Sequence, residues 1–269
     1  MSAPFPKLSS WFRMNAAVEF LAVLLWGVLL IKYWVTGELN ILIHPNYFAL
    51  TVIGGVVLLV LAGWKVWEWI AWGRSRWGRT SGNNGAAASG NAQLQHISLF
   101  PPGWSAAILL TAAIMGLIFE PRVFSSDKAL NRGIEDFMPI TQVKAQAFGK
   151  ATSPEDRSLV DWVRTLSVYP EPDAYSGQPV KVTGFVIHPP ELGEEYLLLA
   201  RYIITCCAAD AYPIGLPVKL PNNRSAYPSD SWLEVQGKMI TETFDDRRQL
   251  TIEAEEIAAI EQPKNPYEY

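Results

Sequence analysis

The chain has two cysteines, and they are neighbours: Cys206 and Cys207 lie inside Arg201–Val218, RYIITCCAADAYPIGLPV. Adjacent Cα atoms sit about 3.8 Å apart, whereas a relaxed disulfide prefers roughly 4.4–6.8 Å. A bond between them is therefore strained and easily reduced. If the apolar run before them continues as a strand, their side chains point to opposite faces. Cys206 then shares a face with Ile204, Tyr202, Ala200 and Leu198, and Cys207 with Thr205, Ile203 and Arg201. The first set is the more apolar, so alternation assigns Cys206 to the core and Cys207 to a ligand or to solvent. Three chemistries stay open. The thiols are small buried hydrophobes, or a metal or redox pair closed by Asp210, or a labile vicinal disulfide.

A metal reading has a donor set. Ala208 and Ala209 allow a tight turn, and a turn directly after Cys206 releases both sulfurs from the opposite-face geometry. Cys207 and Asp210, with Cys206 beside them, then form a soft-to-borderline site for which zinc is the candidate cofactor. Zinc takes four ligands. The remaining one is expected from His188, His44, water or a partner protein. His188 precedes Pro189-Pro190 at a strand end, and His44-Pro45 lies in the loop before the second apolar segment. No His–Asp–Ser or Cys–His spacing of a nucleophilic enzyme is present.

The elements that must position these residues divide the chain by composition. Of 269 residues, 49% are hydrophobic and 11 are Trp, and the net charge is −4. Residues 1–120 hold 7 Lys+Arg against 4 Asp+Glu, net +3, and residues 121–269 hold 15 against 22, net −7. A half poor in acid and rich in Trp reads as membrane-embedded, and an acidic half lacks the cationic footprint of a nucleic-acid binder. Residues 1–120 are expected to carry three spans, at about 18–35, 47–70 and 104–119. Eighteen helical residues cover about 27 Å, close to the hydrocarbon thickness. Trp64, Trp67, Trp69 and Trp72 form an aromatic belt at the end of the second. Residues 74–96 have the composition of a flexible linker, expected on the cytoplasmic side.

Lys7 and Arg13 precede the first span, Lys65 lies near the end of the second with Arg74, Arg76 and Arg79 after it, and Thr36–Asn46 has no Lys or Arg. The positive-inside rule then sets the N-terminus in the cytoplasm and, with three spans, the C-terminal domain on the outer side of the membrane. Residues 121–178 read as a spacer with a helix at 154–166, N-capped by Ser153. Residues 179–269 alternate in short segments at Val180–Ile187, Tyr196–Cys206, Pro217–Leu220, Ser231–Thr241 and Leu250–Ala254, with Gly184 marking a bend and Asp245-Asp246 a hairpin. The fold class expected is membrane-anchored α + β: transmembrane helices, one helix, then a small OB-like β barrel.

At TCCAADAYPIGLPV the chain resembles a bacterial family, the YcgQ-like membrane proteins, whose core reads CC-x-ADA-x-P-x-G-x-P-V. Cys206, Cys207, Ala209, Asp210, Ala211, Pro213, Gly215, Pro217 and Val218 match it, and Gly184–Val186, Arg201 and His44-Pro45 also fit. The resemblance implies an accessory subunit of a YraQ-like permease, with a role in metal handling. A thiol-redox or metal-dependent enzyme and a structural membrane-anchored interaction module are the alternatives.

Overall fold

A computed structural model describes residues 8–77, 104–131, 153–244 and 246–269. Most of the 74–96 linker, Asp245 of the expected hairpin and much of the 121–178 spacer lie outside the described residues. The chain divides into two compact units, Met1–Leu39 with Asn46–Pro121, and Asn40–Pro45 with Arg122–Tyr269. The short loop before the second long helix thus belongs with the C-terminal unit.

The first unit is helical. Helix α1 is Leu8–Thr36, α3 is Phe48–Trp77 and α4 is Trp104–Ile118; the single turn between α1 and α3, α2 (Leu39–Leu42), belongs with the second unit apart from Leu39. Two stretches, Asn15–Thr36 and Pro45–Ala71, are long and apolar enough to cross a membrane; α4 is shorter. Helices α1 and α3 pack antiparallel. Phe20 meets Trp69 with ring centroids 5.2 Å apart, and a Cβ on Gly27 would lie 2.9 Å from Leu59. Gly55 faces Ile31 in the same seam, whereas Gly54 faces open space. Helix α4 runs parallel to α1. The Trp26 indole donates to the Leu109 carbonyl at 2.9 Å and the Tyr33 hydroxyl to the Gly116 carbonyl at 2.7 Å, a seven-residue advance in each helix.

The second unit is a six-strand sheet preceded by two helices, α5 (Ser126–Asn131) and α6 (Leu159–Val168). The expected helix at 154–166 is replaced by a 3-10 turn, Pro154–Asp156, and then α6. The cap is Ser158, not Ser153. Its hydroxyl accepts from the Asp161 N–H while the Asp161 carboxylate accepts from the Ser158 N–H, a reciprocal capping box.

The strands are β1 Pro179–Ile187, β2 Tyr196–Ile203, β3 Tyr212–Lys219, β4 Trp232–Phe244, β5 Arg247–Ile260 and β6 Tyr267–Glu268. Strand β2 stops at Ile203 rather than reaching Cys206. Strands β3, β4 and β5 are longer than alternation suggests, and β6 was not expected. Pairing runs β1-β4-β5-β3-β2-β6, with β1 also paired to β2. All neighbours are antiparallel except β3–β5 and β2–β6.

Strand β1 serves two partners: Phe185 registers with Trp232 of β4 and with Ala200 of β2. Gly184 stands at this exchange. A Cβ there would lie 2.7 Å from the Ala200 carbonyl oxygen, so the close approach of β1 and β2 requires glycine. One core, which includes Val182, Leu197, Leu216, Val235 and Ile252, is covered by Leu159, Trp162 and Val163 of α6. A second core gathers Phe185, Leu198, Tyr202, Trp232 and Tyr267, with Ala129 of α5.

Candidate functional site

The connection from β2 to β3 carries the cysteines. After Ile203 the chain bends at Thr205 and Cys206, and Ala208–Asp210 forms a 3-10 turn before β3 starts at Tyr212. Asp210 is what closes it. Its Oδ2 accepts the Cys206 N–H at 2.9 Å, its Oδ1 accepts the Cys207 N–H at 3.4 Å, and the Thr205 N–H is shared between both oxygens at 3.2 and 3.3 Å. Three backbone donors that a strand would have paired with a neighbour are thereby satisfied by one carboxylate.

This bend overturns the face assignment made from alternation. Cys206 is exposed and Cys207 half-buried, and both are free thiols. The opposite-face rule holds only within a strand, and the strand has ended. The two sulfurs lie 3.6 Å apart, the Cys206 thiol directed at the Cys207 sulfur. The ligand atoms of Cys206, Cys207 and Asp210 all fall within 4.8 Å of one another.

The electrostatics follow from that proximity. The Cys206 thiol is raised to about 11, first by its hydrogen bond to Cys207, then by its hydrogen bond to Asp210, with burial and the Asp210 charge adding to the shift. Partial burial pushes the Asp210 carboxyl upward. The hydrogen bonds from the Cys206 N–H and thiol and from the Thr205 and Cys207 N–H groups outweigh it, so the carboxyl sits below its usual range. Without a cation the turn therefore holds one carboxylate and a protonated Cys206.

The two histidines part company. His188 follows β1, whose last residue, Ile187, registers with Leu198 near the start of β2, and the cysteines follow the other end of β2. The five-residue advance from Leu198 to Ile203 alone spans roughly 17 Å at strand rise, so His188 is not brought to the thiols. Burial, and then the Arg224 guanidinium, hold its imidazole below its ordinary value.

His44 does reach the turn, through its backbone. Its N–H donates to the Cys206 carbonyl at 3.0 Å, and Ile43 forms an isolated antiparallel bridge with Cys207. Its ring packs edge-on against Tyr269, centroids 4.3 Å apart, and its nitrogens are not part of the Cys206–Cys207–Asp210 cluster.

The C-terminal strand completes the surroundings, and sequence reasoning missed it. The Tyr267 hydroxyl donates to the Ile41 carbonyl at 3.1 Å. Glu268 accepts from the Arg201 Nε at 3.0 Å and from the Val160 N–H at 3.2 Å, at the start of α6. The Arg201 guanidinium lies 5.0 Å from the centre of the Trp232 ring. A Tyr-Glu-Tyr end following Pro266 was the available signal.

Two family models match successive parts of the chain. Residues 18–135 match the DUF1980 N-terminal domain and residues 145–269 match the DUF1980 C-terminal domain. UPF0703 protein YcgQ of Bacillus subtilis (strain 168) is 23% identical over 129 residues, which cover 46% of this chain and 45% of YcgQ. The match thus spans less than half of that relative. With both of its domains matched in order, the chain belongs to the DUF1980 family of YcgQ-like proteins.

Proposed function

We propose that this protein is a membrane-anchored metal-binding subunit, in which Cys206, Cys207 and Asp210 take a zinc ion on the outer side of a bacterial plasma membrane. The observation that carries the reading is the pair of sulfurs held 3.6 Å apart beside a carboxylate. With a Zn–S bond of about 2.3 Å, that separation subtends roughly 103° at the metal, close to tetrahedral. A linear two-thiolate ion with the same bond length needs roughly 4.6 Å. The Asp210 carboxylate accepts three backbone N–H groups and the Cys206 thiol, and deprotonation of that thiol on metal binding frees its place for a cation.

Three donors make an open site, which suits transfer better than structural storage. The fourth ligand is water or a group from a partner. A permease of the YraQ-like kind is the partner this reading takes, because three apolar helices do not enclose a conduction path. A raised Cys206 thiol weighs against the alternative of a nucleophilic thiol enzyme, which needs a depressed one.

The topology we propose has the N-terminus inside and three crossings. Two features support it. The loop between α1 and α3, Thr36–Asn46, has no Lys or Arg, whereas Lys7 and Arg13 precede the apolar run of α1 and Arg74, Arg76 and Arg79 follow that of α3. Helix α4 advances parallel to α1 over Trp26–Tyr33, at matching depth. We read the sheet itself as an OB-like barrel: the pairings β1-β2-β3-β5-β4-β1 return to their starting strand, with the parallel contact between β3 and β5.

The test is zinc titration of the purified full-length chain under reducing conditions. The reading expects one zinc per chain and its loss in the Cys206→Ser/Cys207→Ser double variant. Equal binding by both proteins would return the thiols to inert surface groups.

A further inference from the structure

The loop Asn40–Pro45 separates α1 from α3, yet its contacts are with the thiol turn and the C-terminal strand. Ile43 bridges Cys207, and the His44 N–H is bonded to the Cys206 carbonyl. Tyr267 holds the Ile41 carbonyl, and Tyr269 holds the His44 ring. The loop is therefore fixed from two sides, by the backbone of the residues that carry the sulfurs and by Tyr267 and Tyr269. Its ends continue without a break toward α1 and α3.

From this we infer that the loop is a coupling device: occupancy of the Cys206–Cys207 site by a metal ion and docking of the 40–45 loop favour one another. The inference rests on the zinc reading above. The physical cause is shared ordering. A metal bridging the two sulfurs fixes the backbone of Cys206 and Cys207, which supplies the acceptor for the His44 N–H and the partner of Ile43. The loop then docks against a surface whose ordering cost has already been met, and the converse holds for the metal. Linkage makes the effect reciprocal: whatever loosens the loop weakens zinc binding by the same factor that zinc stabilises the loop.

The residue that separates coupling from simple ligation is Tyr269, which touches the loop but offers no thiol to the metal. In full-length protein in lipid nanodiscs, zinc is expected to slow hydrogen exchange at the His44 amide, and not in the Cys206→Ser/Cys207→Ser variant. Tyr269→Ala is expected to weaken zinc binding at least fivefold, the lower end of typical coupling factors. Tyr269→Phe keeps the ring and should bind as wild type. If wild type and Tyr269→Ala bind zinc equally and the His44 amide exchanges at one rate with and without zinc, the coupling is overturned while the metal site stands. If zinc protects His44 in the variant lacking both thiols, the protection comes from elsewhere and the coupling is again overturned. If wild type binds no zinc, the metal reading falls and takes the coupling with it.

Discussion

Both oxygens of the Asp210 carboxylate receive backbone N–H groups from the residues around the thiols, and this one side chain turns a strand end into a site. Asp210→Ala leaves three donors without their acceptor and should destabilise the protein by about 1–3 kcal/mol, read from denaturant midpoints, while also weakening zinc binding. Asp210→Asn keeps one carbonyl oxygen and should lose less stability. A second residue sets a pH dependence. His188 has its folded-state value lowered, by burial first and the Arg224 charge second, so the unfolded chain binds its proton more readily. Stability is then fully present above the unfolded value of about 6.5 and falls as pH drops below it toward the folded value. Thermal midpoints should decline through that window, and His188→Gln should flatten the decline. The proximity of Cys206, Cys207 and Asp210 was legible from residue type and from the two alanines between. The faces of the two thiols were not, because alternation assumes that the strand continues, and nothing in TCC itself breaks it. The breaker is a carboxylate three and four residues ahead.

At the level of elements, the exchange of β1 between β4 and β2 depends on a missing side chain. Gly184→Val places a branched group against the Ala200 carbonyl and the Leu199 side chain. An overpacked site of this kind costs about 1–3 kcal/mol, measurable as a lowered denaturation midpoint with near-native circular dichroism below it. Ser158→Ala removes half of a reciprocal cap and should cost about 1 kcal/mol, whereas Ser153→Ala should be close to silent, since that hydroxyl caps nothing. The strand positions were readable from alternation and Gly184 from its place within an alternating run. Strand ends were less so. Strands β4 and β5 pair from Trp232–Ile260 to Phe244–Arg247, well past the alternating stretch, because a long hairpin satisfies its backbone groups without needing a buried face along its whole length. The α6 start was misplaced because Pro154 with Glu155 and Asp156 imitates a helix N-terminus that here yields one 3-10 turn.

For the whole molecule, two helices long and apolar enough to cross a membrane were legible in their apolar runs and Trp placement, whereas the attachment of residues 40–45 to the unit that holds the sheet was invisible to any local pattern. A reporter inserted at Gly85 should report the cytoplasm and one fused after Tyr269 the outside; the same side for both would remove the crossing by α4. The account stands most directly on metal content. Full-length protein purified under reducing conditions and titrated with zinc should bind one ion per chain, with both thiols then protected from alkylation. The Cys206→Ser/Cys207→Ser variant should bind none. Zinc uptake that is identical in the two proteins, or wild-type thiols that alkylate at one rate with and without zinc, would contradict it.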